Sequence, residues 1–243
     1  MIYALISDVH GNLEALTAVL DDIRKTAEAN EIIFLGDAVG YGASPNEALQ
    51  LINSECSIQI MGNHDSSALG LLDSVGFNPF AREAINYTAA ILTDESRSIL
   101  SVFKMTEKLG DAFLVHASPQ SPERWDYCLT VEEAGRQFAH FPGRLCLIGH
   151  SHQPALFGQN GSQWTEKLTV GDVQLENGHR YVANVGSVGQ PRDGDPRAGY
   201  AVYDSTAETL RFRRVGYDIQ HSQARMQVAG LPTFLIERLA TGR

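Results

Sequence analysis

Five short apolar runs in this chain stop abruptly at small polar turns, and those turns share one vocabulary of Asp, His, Asn and Gly. The turns are Asp8-Val9-His10, Gly36-Asp37, Gly62-Asn63-His64-Asp65, His116 and Gly149-His150-Ser151-His152. The runs before them, such as "IYALIS", "EIIFLG" and "LCLIG", have the length and composition of buried strands. Helical periodicity lies between several of them. Leu13, Leu16, Leu20 and Ile23 recur at helical spacing, Ser44 and Pro45 mark a helix start, and Thr130 with Glu133 forms a capping box. Strand, polar turn and helix in alternation predict an α/β fold. Ligands of open α/β sheets bind beyond the carboxyl ends of the strands, which is where all five turns fall.

The turns hold His10, His64, His116, His150 and His152, five of the eight histidines in the chain. One Asp or His at a strand end is ordinarily a turn former or a helix cap. Five such ends together have no structural advantage, and bound cations explain them better. Mixed oxygen and imidazole donors suit Mn, Fe, Zn, Co or Ni. Asp8, His10, Asp37, Asn63, His116, His150 and His152 are seven candidate ligands, enough for two ions rather than one. The three cysteines, Cys56, Cys128 and Cys146, have no zinc-ribbon or disulfide spacing and read as buried free thiols.

Elsewhere the pattern changes. Residues from about 65 to 110 read as helices with no strand between them, a helical cap inserted over the site. After Pro154 the texture is β-rich. Asn177-Gly178 between "DVQLE" and "RYVANV" signals a hairpin, and "GYAVYD" with "TLRFRRV" a second antiparallel pair. The last 25 residues or so read as helical. The formal net charge of −10 argues against a dedicated nucleic-acid surface or an anionic-membrane binder. With no signal-like start and no long apolar run, the expected location is cytoplasmic.

The order D-x-H, G-D, G-N-H-D, H, G-H-x-H, spread over residues 8 to 152, resembles the calcineurin-like metallophosphoesterases. The stretch "NVGSVGQPRDGDPRAGYAVYD" is similar to a small prokaryotic branch of that family. The resemblance implies a single domain over 1–243: a four-layer α/β sandwich of two mixed β-sheets flanked by helices, with the cap near 65–110. It also implies that Asp8, His10 and His152 bind one divalent metal and Asn63, His116 and His150 another, with Asp37 bridging. Manganese is the favoured metal. A hydroxide between ions about 3.5–4 Å apart would then attack phosphorus, and His64, unligated, would serve as general acid to the leaving group.

The expected substrate is a small-molecule phosphate ester, a phosphodiester first, because a general acid helps most where the leaving group is poor. Tyr41 and Arg192 are candidate substrate contacts, against plain readings as loop packing and a surface cation. Asp65 and Asn12 are expected to be helix caps, and Ser151 a spacer. Protein phosphatases of the family carry Gly-Asp-x-Val-Asp-Arg-Gly, whereas this chain reads Gly36-Asp37-Ala38-Val39-Gly40-Tyr41-Gly42. The missing arginine weighs against a protein phosphatase and against symmetrical dinucleoside tetraphosphate hydrolysis. His116 is followed by Ala117, where related branches often have glycine. The alternatives are a phosphomonoesterase, a protein or dinucleoside polyphosphate phosphatase, a nuclease and a non-catalytic metal-binding module; retention of His64 argues against the last.

Overall fold

The computed structural model describes residues 1–26, 29–161 and 164–243. Strand β1 (Ile2–Ile6) leads into α1 (Leu13–Thr26), and β2 (Glu31–Phe34) into α2 (Pro45–Glu55) and β3 (Cys56–Gln59). Helices α3 (Asn63–Ala68), α4 (Pro79–Ile91) and α5 (Asp94–Ser101) precede β4 (Thr106–Leu109) and β5 (Ala112–Val115). Then come α6 (Val131–Gln137), β6 (Leu145–Ile148), β7 (Ala155–Gln159), β8 (Thr165–Leu168), β9 (Asp172–Gln174) and β10 (Arg180–Asn184). Strands β11 (Ala198–Asp204) and β12 (Thr209–Val215) and helices α7 (Ile219–Val228) and α8 (Thr233–Arg238) complete the chain.

The strands form two six-stranded mixed sheets, in the orders β3-β2-β1-β11-β12-β9 and β4-β5-β6-β10-β7-β8. Successive side chains of a strand point to opposite faces, and here both faces are covered. In the first sheet, Leu5, Ile33 and Leu35 point toward Leu114, Leu147 and Leu156 of the second. Their neighbours Ala4, Ile6 and Phe34 pack instead under Leu16, Leu20 and Leu49 of α1 and α2. The outer face of the second sheet, with Val115, Cys146 and Ile148, is closed by Ala134 and Phe138 at α6. Burial on both faces is why these strands read as near-continuous apolar runs. The result is the α/β sandwich of two mixed sheets flanked by helices.

Two details differ from the sequence reading. Asn177-Gly178 does not close a hairpin: β9 pairs with β12 in one sheet, whereas β10 pairs with β6 and β7 in the other. The turn is a crossing between sheets, a choice that local turn chemistry does not encode. The helical stretch expected to about residue 110 ends at Ser101, and β4 begins at Thr106. Part of that stretch is ordinary core, because Leu92, Leu100 and Phe103 join the cluster under the first sheet. The expected pair of β11 and β12 is present, as are the terminal helices.

Strands β1, β2 and β3 run parallel, as do β5, β6 and β10. Their carboxyl ends open on one edge of the sandwich, and that edge carries the polar turns.

Candidate metal centre

The backbone at this edge is held in an unusual conformation. Asp8, His10, Asp37, Tyr41, Trp125, His150 and His152 all have positive φ, between 51° and 67°. Among the described residues only one other non-glycine residue, Glu208, does so. Each such residue costs of order 1–3 kcal/mol and persists where its surroundings over-determine it. Glycines permit the approach: a Cβ on Gly36 (φ 101°) would lie 2.5 Å from Nδ1 of His116.

The turns gather into two clusters that share a member. Asp8, His10, Asp37 and His152 present ligand atoms within 4.8 Å of one another, and Asp37, His116 and His150 do the same. All are buried. His152 Nε2 is 3.2 Å from Asp8 Oδ1, and Asp37 Oδ2 is 3.6 Å from His10 Nε2 and 3.3 Å from His116 Nε2. Asn63 is buried too, and its Oδ1 has no hydrogen-bond partner; neither do Nε2 of His116 and Nε2 of His150.

Backbone carbonyls set the imidazole tautomers. His10 Nδ1 donates to Val39 O at 2.9 Å, His116 Nδ1 to Leu35 O at 2.8 Å and His152 Nδ1 to Gln190 O at 2.7 Å. Each leaves Nε2 with its lone pair facing the carboxylates, the outer-shell pattern of metal-ligating histidines. The Nε2 atoms of His10 and His152 then stand 3.1 Å apart. Two lone pairs at that separation repel unless a cation lies beside both. The donor set therefore fits a metal site, with oxygen and imidazole donors and no thiolate.

Electrostatics agrees. Burial opposes ionisation of Asp8 and Asp37, yet the surrounding histidines hold both carboxyls below the usual range. Burial also opposes the charge on His116, but Asp37 and Asp8 outweigh it and push this imidazole up to about 9. A position that attracts a proton so strongly is one where a divalent cation can replace it. At His64 burial dominates and lowers the ring to about 4, so it is neutral near pH 7.

A cleft of about 310 Å³ lies against these clusters, lined among others by Asp37, Asn63, His64, Phe77, Trp125 and Tyr127. His64 is in neither cluster. Its ring packs against those of His10, Tyr41 and Phe77, with centroids at 4.7, 4.5 and 5.0 Å. Tyr41 and Arg192 both line the cleft. The Arg192 guanidinium lies over the Tyr41 ring, 5.5 Å from its centroid, and its Nε is buried without a partner.

Several supporting residues do more, or sit elsewhere, than the sequence showed. Asp65 does more than cap α3: besides Gly62 N, it accepts from the backbone N–H groups of Asp37 (2.9 Å) and Val39 (3.2 Å), tying two turns together. Ser151 is not merely a spacer, because its hydroxyl accepts from Asn184 Nδ2 at 2.9 Å, and Asn184 also donates to Gly149 O. Asn12 caps α1 as expected, accepting from Ala15 N. Trp125 and Tyr127 come from an irregular loop whose aromatic residues matched no periodic pattern.

Residues 1–208 match the calcineurin-like phosphoesterase superfamily domain. An uncharacterized protein of Methanocaldococcus jannaschii is 37% identical over 244 residues, covering 99% of this chain and 98% of that protein. A symmetrical bis(5'-nucleosyl)-tetraphosphatase of Erwinia tasmaniensis is 24% identical over 170 residues, 68% of this chain and 60% of that enzyme. The crystal structure of a metallophosphoesterase from Sphaerobacter thermophilus superposes with a TM-score of 0.87 at 39% identity, covering 100% of this chain and 99% of that one. With the fold and the buried His/Asp clusters, these matches show that the chain belongs to the calcineurin-like phosphoesterase superfamily.

Proposed function

We propose that the protein is a dinuclear metal-dependent phosphoesterase acting on small phosphodiesters. The observation that carries this reading is Asp37, which belongs to both donor clusters and so can serve two ions at once. Asp8, His10 and His152 complete one set; Asn63, His116 and His150 complete the other. Two divalent cations, when bound, neutralise the phosphate and lower the pKa of water into the neutral range. Manganese is our first choice among the borderline metals that suit these donors.

The protein's own side chains supply the rest. Arg192 offers its unpartnered Nε to a phosphate oxygen. Its guanidinium is laid over Tyr41, the residue standing where protein phosphatases carry arginine. His64 borders the cleft beside Phe77 and faces the departing oxygen. Because the ring is neutral in the free site, the negative charge of a bound phosphoester must raise its proton affinity before it can act as an acid. A cytoplasmic setting belongs to this reading and fits three buried free cysteines; no helix among the described residues is long and apolar enough to cross a membrane. A dinucleoside polyphosphate is the second reading, favoured by the match to the tetraphosphatase.

The test is to strip the protein of metal and add back Mn, Ni, Co, Zn or Mg. It is then offered a dialkyl phosphodiester, a phosphomonoester and a dinucleoside polyphosphate. Two equivalents of bound metal and fastest turnover of the diester are expected; inactivity with every metal would remove the enzymatic reading. His64→Ala should keep both metals and lose rate most on alkoxide leaving groups. Loss of metal from that variant would overturn the ligand assignment.

A further inference from the structure

The cleft has two unlike walls. On one, Phe77 packs edge-on against His64. On the other, Tyr127 stacks on His150, with centroids 4.2 Å apart and planes at 19°, and Trp125 meets His116 at 6.1 Å. Trp125 is half-buried against the core under the first sheet, whereas the openness of Tyr127 is not accounted for by packing. Tyr127 is 48% exposed, with only one ring face spent on His150. Trp125 holds φ at 57°, a strained conformation for a bulky residue. A large aromatic side chain left open at a binding cleft is available for stacking, which tolerates any planar ring.

Building on the phosphodiesterase reading, we propose that the Trp125–Tyr127 wall stacks a planar ring, such as a nucleobase, carried by the arm of the phosphodiester that stays on phosphorus. The orientation follows from the neighbours of each wall. The group facing the leaving oxygen, His64, is beside Phe77, and the stacking wall adjoins His116 and His150 instead. In the reaction the oxygen of water bonds to phosphorus, the P–O bond to the ringless arm breaks, and the departing oxygen takes a proton. The products are a ring-bearing phosphomonoester and a simple alcohol. At about 310 Å³ the cleft is at the small end of ligand pockets. It holds one such arm, and the second base of a dinucleoside substrate would lie outside.

The test compares two diesters that differ only in the ring, the methyl esters of adenosine 5'-monophosphate and of ribose 5-phosphate, on metal-loaded protein. The adenosine diester should have the higher kcat/KM, by about fivefold or more, and should release methanol and adenosine 5'-monophosphate. Tyr127→Ala should shrink the preference and Tyr127→Phe should keep it; exposure of Tyr127 makes misfolding a poor explanation for a loss. Equal kcat/KM for the two diesters, or release of adenosine and methyl phosphate, would overturn the proposal. If neither diester is hydrolysed, the phosphodiesterase reading fails by itself. Calorimetry with adenosine 5'-monophosphate and ribose 5-phosphate then decides the wall: tighter binding of the nucleotide, weakened by Tyr127→Ala, supports it, and equal binding refutes it.

Discussion

Asp65 shows how much of the site depends on a residue that touches neither a proposed metal nor substrate. Its carboxylate accepts from the N–H groups of Asp37, Val39 and Gly62, and the N–H of His64 donates back to Asp37 Oδ1 at 2.9 Å. The Asp37 backbone is thereby held by Asp65 and its carboxylate by the His64 N–H. Asp65→Asn replaces one acceptor oxygen by a donor that faces an N–H group. Metal affinity is expected to fall about 10- to 100-fold, measured by titration of the stripped variant, with little change in far-UV circular dichroism. Unaltered affinity would mean that the Asp37 turn holds itself. The aspartate was visible in "GNHD", but only its capping role could be read there. Capping is a local interaction, whereas the bonds to Asp37 and Val39 span 28 and 26 positions of sequence.

At the level of elements, the terminal helices brace the turn that carries Asp8 and His10. Ser222 on α7 donates to Asn12 Oδ1 (2.8 Å) and Glu14 Oε2 (2.9 Å), and Arg225 reaches Glu14 (2.8 Å) and Ser44 (3.2 Å). Met226, Leu235 and Leu239 pack with Tyr41. Helix α7 therefore clamps the starts of α1 and α2, the helices that follow the Asp8 and Asp37 turns. Ser222→Ala removes one of the two donors to Asn12 Oδ1, which keeps Ala15 N, and a loss of about 0.5–1.5 kcal/mol is expected in urea denaturation. A change below 0.3 kcal/mol would show that the clamp is not under load. Helicity at the C-terminus was legible from sequence, but the surface it packs on was not. The hairpin expected at Asn177-Gly178 failed for a related reason: turn chemistry is local, and the partner of β10 is chosen by distant β6.

For the whole molecule, the proposed metal sites imply a coupling of stability to metal. Asp8 and Asp37 are both essentially inaccessible, and burying carboxylates is costly without compensating charge. Cations that bind only the folded chain stabilise it by mass action, about 2.7 kcal/mol for each site at a hundredfold excess over Kd. At roughly 2–4 °C per kcal/mol for a chain of this size, metal removal should lower Tm by about 5–10 °C for each site vacated. Scanning calorimetry of stripped and reloaded protein, with elemental analysis, measures it. Identical Tm values together with no retained metal would contradict a site of this kind.

By itself the sequence determined the buried strands that end in polar turns, those turns, and the seven residues whose chemistry suits cations. Those features are set by period, composition and order along the chain. Only the tertiary structure decided that Asp37 stands in both clusters, that main-chain carbonyls fix the tautomers of His10, His116 and His152, and that Trp125 and Tyr127 wall the cleft. The reason is one of range. Apolar periodicity records whether a residue is buried, but contacts between turns far apart in the chain leave no periodic trace and appear only once two sheets bring their carboxyl ends to the same edge.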